Sequence, residues 1–472
     1  MLDAPRLRGS TPLLGAIALS ACMTARPILV APRGNEPAPH AVLFENVRIF
    51  DGVGDALSVP SDLLIDGGRI TAMAPHGQLL DARMERAERV DGTGKTLLPG
   101  LIDCHVHLGG GDGTPPWDSK RPNVDAQSAA LVYAGVTTIL AAARDADFVG
   151  LRRRIAAGEL AGPRIISSSR VFTLTGGHPV PFFKALLPWP VSSLIISSRV
   201  IQVGSEEEAR SAVDKELPDG DPAFAKIMYD DIPPGAPHLS RELLKALIAE
   251  VRAKGRRASV HVGSPQDALD AVWAGASLLM HVPGNEPLTE AQARTLAASG
   301  VPIVTTVGIY AALSAALDGT LEFSKLEKEV MPPGTIESYA NKPEHYLPPG
   351  FPQSYIDAIP TRAGYMARNA RLLADAGAQL VAGTDSGLPA VFHGAALHRE
   401  LRALVALGLT PARVLRMATA DAARVLERGA DYGSIAPGMR ADLLLINGDP
   451  LVDIAATEQI ESVWQDGRKL KR

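Results

Sequence analysis

His105 and His107 stand in the run Pro99-Gly100-Leu101-Ile102-Asp103-Cys104-His105-Val106-His107. Residues i and i+2 of a strand face the same way, so two imidazoles converge on one side and form half of a metal site. Other residues able to do chemistry close further apolar runs. Lys226 lies in Phe224-Ala225-Lys226-Ile227-Met228-Tyr229, and His261 in Ser259-Val260-His261-Val262. His281 follows Leu278-Leu279-Met280, and Asp385 ends Val381-Ala382-Gly383-Thr384-Asp385. Each alone has an ordinary structural explanation, such as a hydrogen-bonded core histidine or a helix cap. Four histidines, a lysine and an aspartate, each at the end of an apolar run, read together as one metal centre. Tyr229, three residues past Lys226, is expected to donate to a substrate carbonyl or oxyanion. Cys104, between Asp103 and His105, is expected to face the outer helix layer as an inert packed thiol. His393 and His398, near the start of the last helix, are read as surface residues near the pocket mouth.

These residues need a scaffold that brings several strand ends to one place. Short apolar runs alternate with helical stretches through the middle of the chain, the pattern of βα units around a parallel sheet. Eight strands are expected, at Leu101–His107, Thr137–Ala142, Arg164–Phe172, Ala223–Tyr229, Ala258–Val262, Ser277–Val282, Ile303–Val307 and Leu380–Thr384. Helical stretches follow, among them Arg241–Lys254, Gln266–Ala274 and Ala395–Leu407. Eight units close a (β/α)8 TIM barrel, whose catalytic groups come from the C-terminal strand ends. Residues 174–204 and 310–353 are long connections, the second rich in Pro and aromatics and expected to cover substrate as a lid. Turn-punctuated strands at 41–98 and 432–472 suggest one small β-sandwich domain assembled from both ends of the chain, flanking a barrel at 99–431.

The whole composition suits a compact enzyme of 472 residues, with 46% hydrophobic and 21% charged residues. A net charge of −5 gives no basic footprint for nucleic acid, and 8 Tyr, 10 Phe and 4 Trp are too few for a base-stacking surface. Two cysteines cannot build a disulfide framework. Arg6 and Arg8 precede a short apolar core that ends in Leu19-Ser20-Ala21-Cys22. This reads as a signal peptide over 1–21 with a lipobox. A lipid on Cys22 would then anchor the protein to a membrane, facing the periplasm or the cell surface. Residues 22–40 are expected to be a flexible tether.

Taken together, the strand-end residues, the split β-domain and the segment Thr410-Pro411-Ala412 to Ala418-Thr419 resemble the amidohydrolase superfamily over about residues 41–472. The nearest likeness is to its imidazolonepropionase-like subgroup, which includes bacterial Xaa-Pro and Xaa-Arg dipeptidases and ochratoxin hydrolases. The resemblance implies two divalent metal ions, by precedent Zn2+ although Mn and Co suit the same ligands. It implies that His105, His107 and Asp385 hold the more buried ion and that His261 and His281 hold the other. Lys226, carboxylated by CO2, would bridge the two, because a carbamate offers two anionic oxygens where a neutral amine offers none. It also makes His178, in Thr175-Gly176-Gly177-His178, a candidate substrate contact. The implied reaction is attack of a metal-activated hydroxide on an amide or peptide-like C–N bond in a dipeptide or N-acyl amino acid. Asp385 would take the proton and pass it to the leaving nitrogen. Lactone, ester or phosphoester hydrolysis on the same centre, and a one-metal deaminase that dispenses with Lys226, are the alternatives. An intact ligand set argues against a barrel retired to binding. A small-molecule substrate is the expected partner, nucleic acid is not, and a homo-oligomer is left open.

Overall fold

Asp66-Gly67-Gly68 turns the chain between the strands Ser61–Asp66 and Arg69–Pro75. Both glycines have positive φ, 58° and 79°, which a tight hairpin turn requires and which side chains with a Cβ resist. The computed structural model describes residues 29–32, 34, 41–118, 121–218, 220–344, 346–347 and 350–472. The hairpin belongs to a mixed sheet drawn from both ends of the chain. Its order is Arg468–Lys469, Ile460–Gln465, Leu443–Asn447, Lys95–Pro99, Val42–Ile49, Ser61–Asp66 and Arg69–Pro75, with Glu88–Asp91 pairing Val42–Ile49. Leu443 pairs antiparallel with Pro99 and Leu445 with Leu97, which joins the C-terminal part to the N-terminal part. Phe44, Leu63, Leu97, Leu443 and Trp464 are fully or almost fully buried in its core.

Eight parallel strands form the barrel: β1 (Leu101–Val106), β2 (Val136–Ala141), β3 (Arg164–Leu174), β4 (Phe224–Tyr229), β5 (Arg257–Val262), β6 (Leu278–Met280), β7 (Ile303–Val304) and β8 (Leu380–Val381). Neighbours pair in sequence order. Between the ends of the sheet, Cys104 N–H donates to Ala382 O (3.0 Å), Asp385 N–H to His105 O (2.8 Å) and His107 N–H to Ser386 O (2.9 Å). The strands read as apolar runs because both faces are covered. Ala225, Ile227, Val260 and Leu279 pack outward with helix residues such as Leu244 and Leu247. Ile102, Leu140, Phe224, Leu278, Val304 and Val381 meet inside.

Cys104 belongs to that inner cluster, against the expectation that it faces the helices. The register of β1 against β2 slips between Asp103 and Val106, so the simple two-residue alternation fails there. The thiol is fully buried and burial pushes its pKa up, so it is a packed apolar group, as expected.

Both long connections hold regular structure. Residues 174–204 contain the helices Val180–Leu186 and Val191–Arg199 and a strand, Val200–Val203, beside β3. The other connection carries the helices Gly308–Asp318, Lys325–Val330, Thr335–Ala340 and Gln353–Asp357. Leu326, Val330 and Tyr339 of this segment are buried against Phe392, so much of the expected lid is packed into the body. His393 and His398 are also buried, contrary to their reading as surface residues. The His398 ring bonds Thr457 Oγ1 (2.9 Å) and Ala134 O (2.8 Å), and so ties a barrel helix to the turn before β2 and to the C-terminal segment.

The expected signal peptide and Cys22 lie outside the described residues, as does most of the expected tether. Of that tether, Val30 is buried and Ala31 N–H donates to Lys471 O at 3.1 Å. No helix among the described residues is long and apolar enough to cross a membrane.

Candidate metal centre

β1 and β8 are locked together directly beneath the site. Buried Asp103 accepts from Thr384 Oγ1 (2.6 Å), Thr384 N–H (3.1 Å) and His105 N–H (3.0 Å). Gly383 leaves room for this approach: a Cβ there would meet Val304 Cγ1 at 2.3 Å and His105 Cβ at 3.1 Å. Two of the converging side chains sit on left-handed backbone, His281 at φ 78° and Asp385 at φ 61°. Thr306, at φ 47°, is a third such position at a strand end. Strain of this kind persists where the surrounding structure over-determines a conformation, commonly at functional sites.

Asp385 is the hub of one group. Its Oδ1 lies 3.2 Å from His105 Nε2 and 3.1 Å from His107 Nε2, and its Oδ2 lies 4.0 Å from His281 Nε2. The second group is centred on Asp230. Its Oδ2 is 2.7 Å from His261 Nε2, and its Oδ1 is 2.9 Å from His178 Nδ1. The groups adjoin, because the His261 and His281 ring centroids are 4.3 Å apart and those of His105 and His281 4.6 Å.

Lys226 is buried on the inward face of β4, its N–H held by Ser169 Oγ at 3.1 Å. Its charge is felt by His105, His261 and His281 from one side and by Asp385, Asp230 and Asp145 from the other. Burial is the largest influence on the amine and lowers its pKa to about 8. A neutral amine, the form that reacts with CO2, is therefore accessible near neutral pH.

The donor set fits divalent cations. His105 Nδ1 and Nε2, His281 Nε2 and Asp385 Oδ1 are buried and make no well-aligned hydrogen bond, the 3.1–3.2 Å approaches of Asp385 Oδ1 to the imidazoles included, a costly arrangement unless something else binds them. Burial lowers His105 to about 3 and His261 to about 4, and holds His281 well below its ordinary value. Burial alone would raise Asp385 and Asp230, but the surrounding imidazoles outweigh it and keep both carboxyls ionised. Neutral imidazole and ionised carboxylate are the ligating forms. His107 differs: burial opposes its protonation, yet Asp145 and Asp385 raise it to about 9.

Three supports have no counterpart in the sequence reading. Asp145 Oδ2 holds His107 Nδ1 at 2.9 Å, and Thr306 Oγ1 holds His281 Nδ1 at 2.7 Å. Asp230 holds His261 Nε2, which leaves Nδ1 as the other ring nitrogen. Such outer contacts fix ring orientation and tautomer. Asp145 and Asp230 follow barrel strands closely, so a carboxylate at a strand end was the available signal; Thr306 offered none.

Of the residues singled out from the sequence, His105, His107, Lys226, His261, His281, Asp385 and His178 are brought to this one region. Tyr229 is not. It points outward with Ala225 and Ile227, and its hydroxyl lies 3.2 Å from Asp270 Oδ2 in the helix layer.

The amidohydrolase family model matches residues 96–470. Ochratoxinase of Aspergillus niger is 24% identical over 476 residues, spanning 94% of this chain and 85% of that protein. Imidazolonepropionase of Geobacillus kaustophilus is 24% identical over 406 residues, spanning 81% and 82%. The crystal structure of a Xaa-Pro dipeptidase with methionine bound in its active site has a TM-score of 0.71 and 22% identity, covering 91% of this chain and 99% of that one. The family match runs from the last strand before the barrel to the end of the terminal sheet: the chain belongs to the amidohydrolase family.

Proposed function

We propose that the protein is a metal-dependent hydrolase that cuts an amide or peptide-like C–N bond in a dipeptide or N-acyl amino acid. The observation that carries this reading is the set of buried, unpartnered donor atoms on His105, His281 and Asp385 beside Lys226 and His261. The names of its relatives, an ochratoxinase and a Xaa-Pro dipeptidase among them, agree with that bond class. In this reading His105, His107 and Asp385 would hold one zinc ion, and His261 and His281 would hold a second. Lys226, carboxylated by CO2, would add two anionic oxygens to that ligand set. Two such cations would supply a water acidified towards neutrality and a Lewis acid for the carbonyl. Asp385 then accepts the proton of the attacking water and returns it to the leaving nitrogen. His178, oriented by Asp230, stands beside His261 and contacts the substrate.

Metal content of the wild type and Lys226→Ala, both supplied with zinc and bicarbonate, tests the centre. About two ions per wild-type chain and a sharp fall in the variant are expected, together with turnover of a dipeptide and N-acyl amino acid panel. One ion in both proteins would favour the one-metal deaminase. Turnover confined to lactones, esters or phosphoesters would move the bond class. The reading extends to location through Leu19-Ser20-Ala21-Cys22: an exported protein anchored by a lipid on Cys22. Cys22→Ser should then move the protein from the membrane fraction to the soluble one, and an unchanged distribution would sink the anchor.

A further inference from the structure

Arg362, on the helix Ile359–Asp375, is only 4% exposed, and no carboxylate among the described residues lies within 4 Å of it. Other arginines shielded from water behave differently. Arg170 pairs with Glu216 and Arg399 with Glu327, although both keep 20% of their side-chain surface. A buried charge without a counter-ion is costly, so it persists where something else repays the desolvation. Around this guanidinium stand two phenols. Arg362 Nη1 approaches Tyr310 Oη at 3.4 Å, and the guanidinium sits 5.8 Å from the Tyr310 ring and 5.2 Å from the Tyr355 ring. The two hydroxyls stand close enough to influence one another.

The cluster adjoins the metal centre. Rings run in contact from His178 to Phe182 (5.5 Å) and from Phe182 to Tyr355 (5.0 Å). The Asp385 carboxylate is close enough to raise both phenols, although burial does more. Arg362 also lines a cavity of about 390 Å³ with Asp231, Ser264 and Asn285, which follow β4, β5 and β6. β4 and β5 carry Lys226 and His261, and His281 directly follows β6. Of the three acidic residues on that cavity, Asp231 and Glu286 are exposed, where water screens them, and half-buried Asp267 caps its helix by accepting from Gly263 N–H (3.1 Å) and Ser264 N–H (2.7 Å).

We infer that Arg362, with Tyr310 and Tyr355, anchors a free carboxylate on the amine half of the substrate. This rests on the proposed amide chemistry and narrows it: the enzyme takes free-acid dipeptides or N-acyl amino acids and rejects internal peptides and neutral amides. A planar guanidinium matches a carboxylate with two parallel hydrogen bonds, and the phenols supply further donors.

Matched substrates test it: N-acetyl-L-amino acids against their carboxamides, assayed on the zinc-loaded wild type and Arg362→Met. The wild type should prefer the acids by about 100-fold in kcat/KM, mostly through KM, and the variant should lose that preference. Removing an unpaired buried charge should leave the melting temperature of Arg362→Met level or higher, which a structural arginine would not do. Calorimetric binding of the product-like free L-amino acids, against their amides, gives a readout without turnover. Equal loss on acids and amides, or a wild type indifferent to the carboxylate while cleaving both, overturns the anchor and leaves the amide reading standing. A wild type that binds L-amino acids through Arg362 but cleaves no amide upholds the anchor and sinks the bond class.

Discussion

Asp230 is shared between His178 and His261, so one carboxylate orients both a candidate ligand and a candidate substrate contact. Asp230→Asn keeps the volume but weakens both contacts. Its kcat/KM should fall about 10- to 100-fold with reduced metal content, read by elemental analysis and turnover. Asp385→Asn should cut kcat by about 10²- to 10⁴-fold even in protein that retains metal, because the proton carrier is gone. Activity near wild type in that variant would reassign the proton transfer. At this scale the sequence was most legible for side chains whose type and strand-end position already imply chemistry. Asp230 and Asp145 were missed because their meaning comes from partners 52 and 38 residues away. Tyr229 illustrates the opposite error. Lys226 faces inward, and a residue three further along a strand faces the other way, so period-two geometry already sends Tyr229 to the helix layer.

Elements place these side chains by how closely their backbones approach. Gly383→Ala would press a methyl into Val304 and His105. Such overpacking should cost about 1–3 kcal/mol in a urea titration and displace His105, with loss of metal. Wild-type stability and metal content would show that β8 yields more readily than the geometry implies. The eight barrel strands were legible because strands covered on both faces leave unbroken apolar runs between turns. Two features were not. The slip in β1 that turns Cys104 inward leaves no compositional trace, since a cysteine packs on either face. The helices within 174–204 and 310–353 are short, five to eleven residues, and gain stability from tertiary contacts rather than from their own periodicity.

Across the whole molecule, barrel and terminal sheet are tied by charge. Arg164 at the start of β3 grips Asp442 through Nε (2.9 Å) and Nη2 (3.2 Å), and also pairs with Asp466, which Arg440 holds in turn. Arg164→Ala would leave Asp442 buried without its partner, a loss of about 3 kcal/mol measurable as a lower urea midpoint. Burial would raise Asp466, but Arg164 and Arg440 outweigh it and hold its carboxyl below the usual range. A lowered folded pKa gives a contribution complete above the unfolded value of about 3.9 and lost as pH falls through the folded one. Asp466→Asn should therefore cost about 1 kcal/mol at neutral pH after solvent screening, and less at pH 3. An unchanged difference at the two pH values would remove Asp466 from the account. The sheet drawn from both chain ends also imposes an order on synthesis. Val42–Ile49 and Lys95–Pro99 leave the ribosome first, yet Lys95–Pro99 finds its other neighbour only in Leu443–Asn447, after the entire barrel has been made. Until then Phe44, Leu63 and Leu97 lack the cover of Trp464 and Leu443. The nascent chain thus carries a sticky, half-built sheet for most of translation, and a stop codon near residue 440 should yield aggregate rather than a smaller working enzyme.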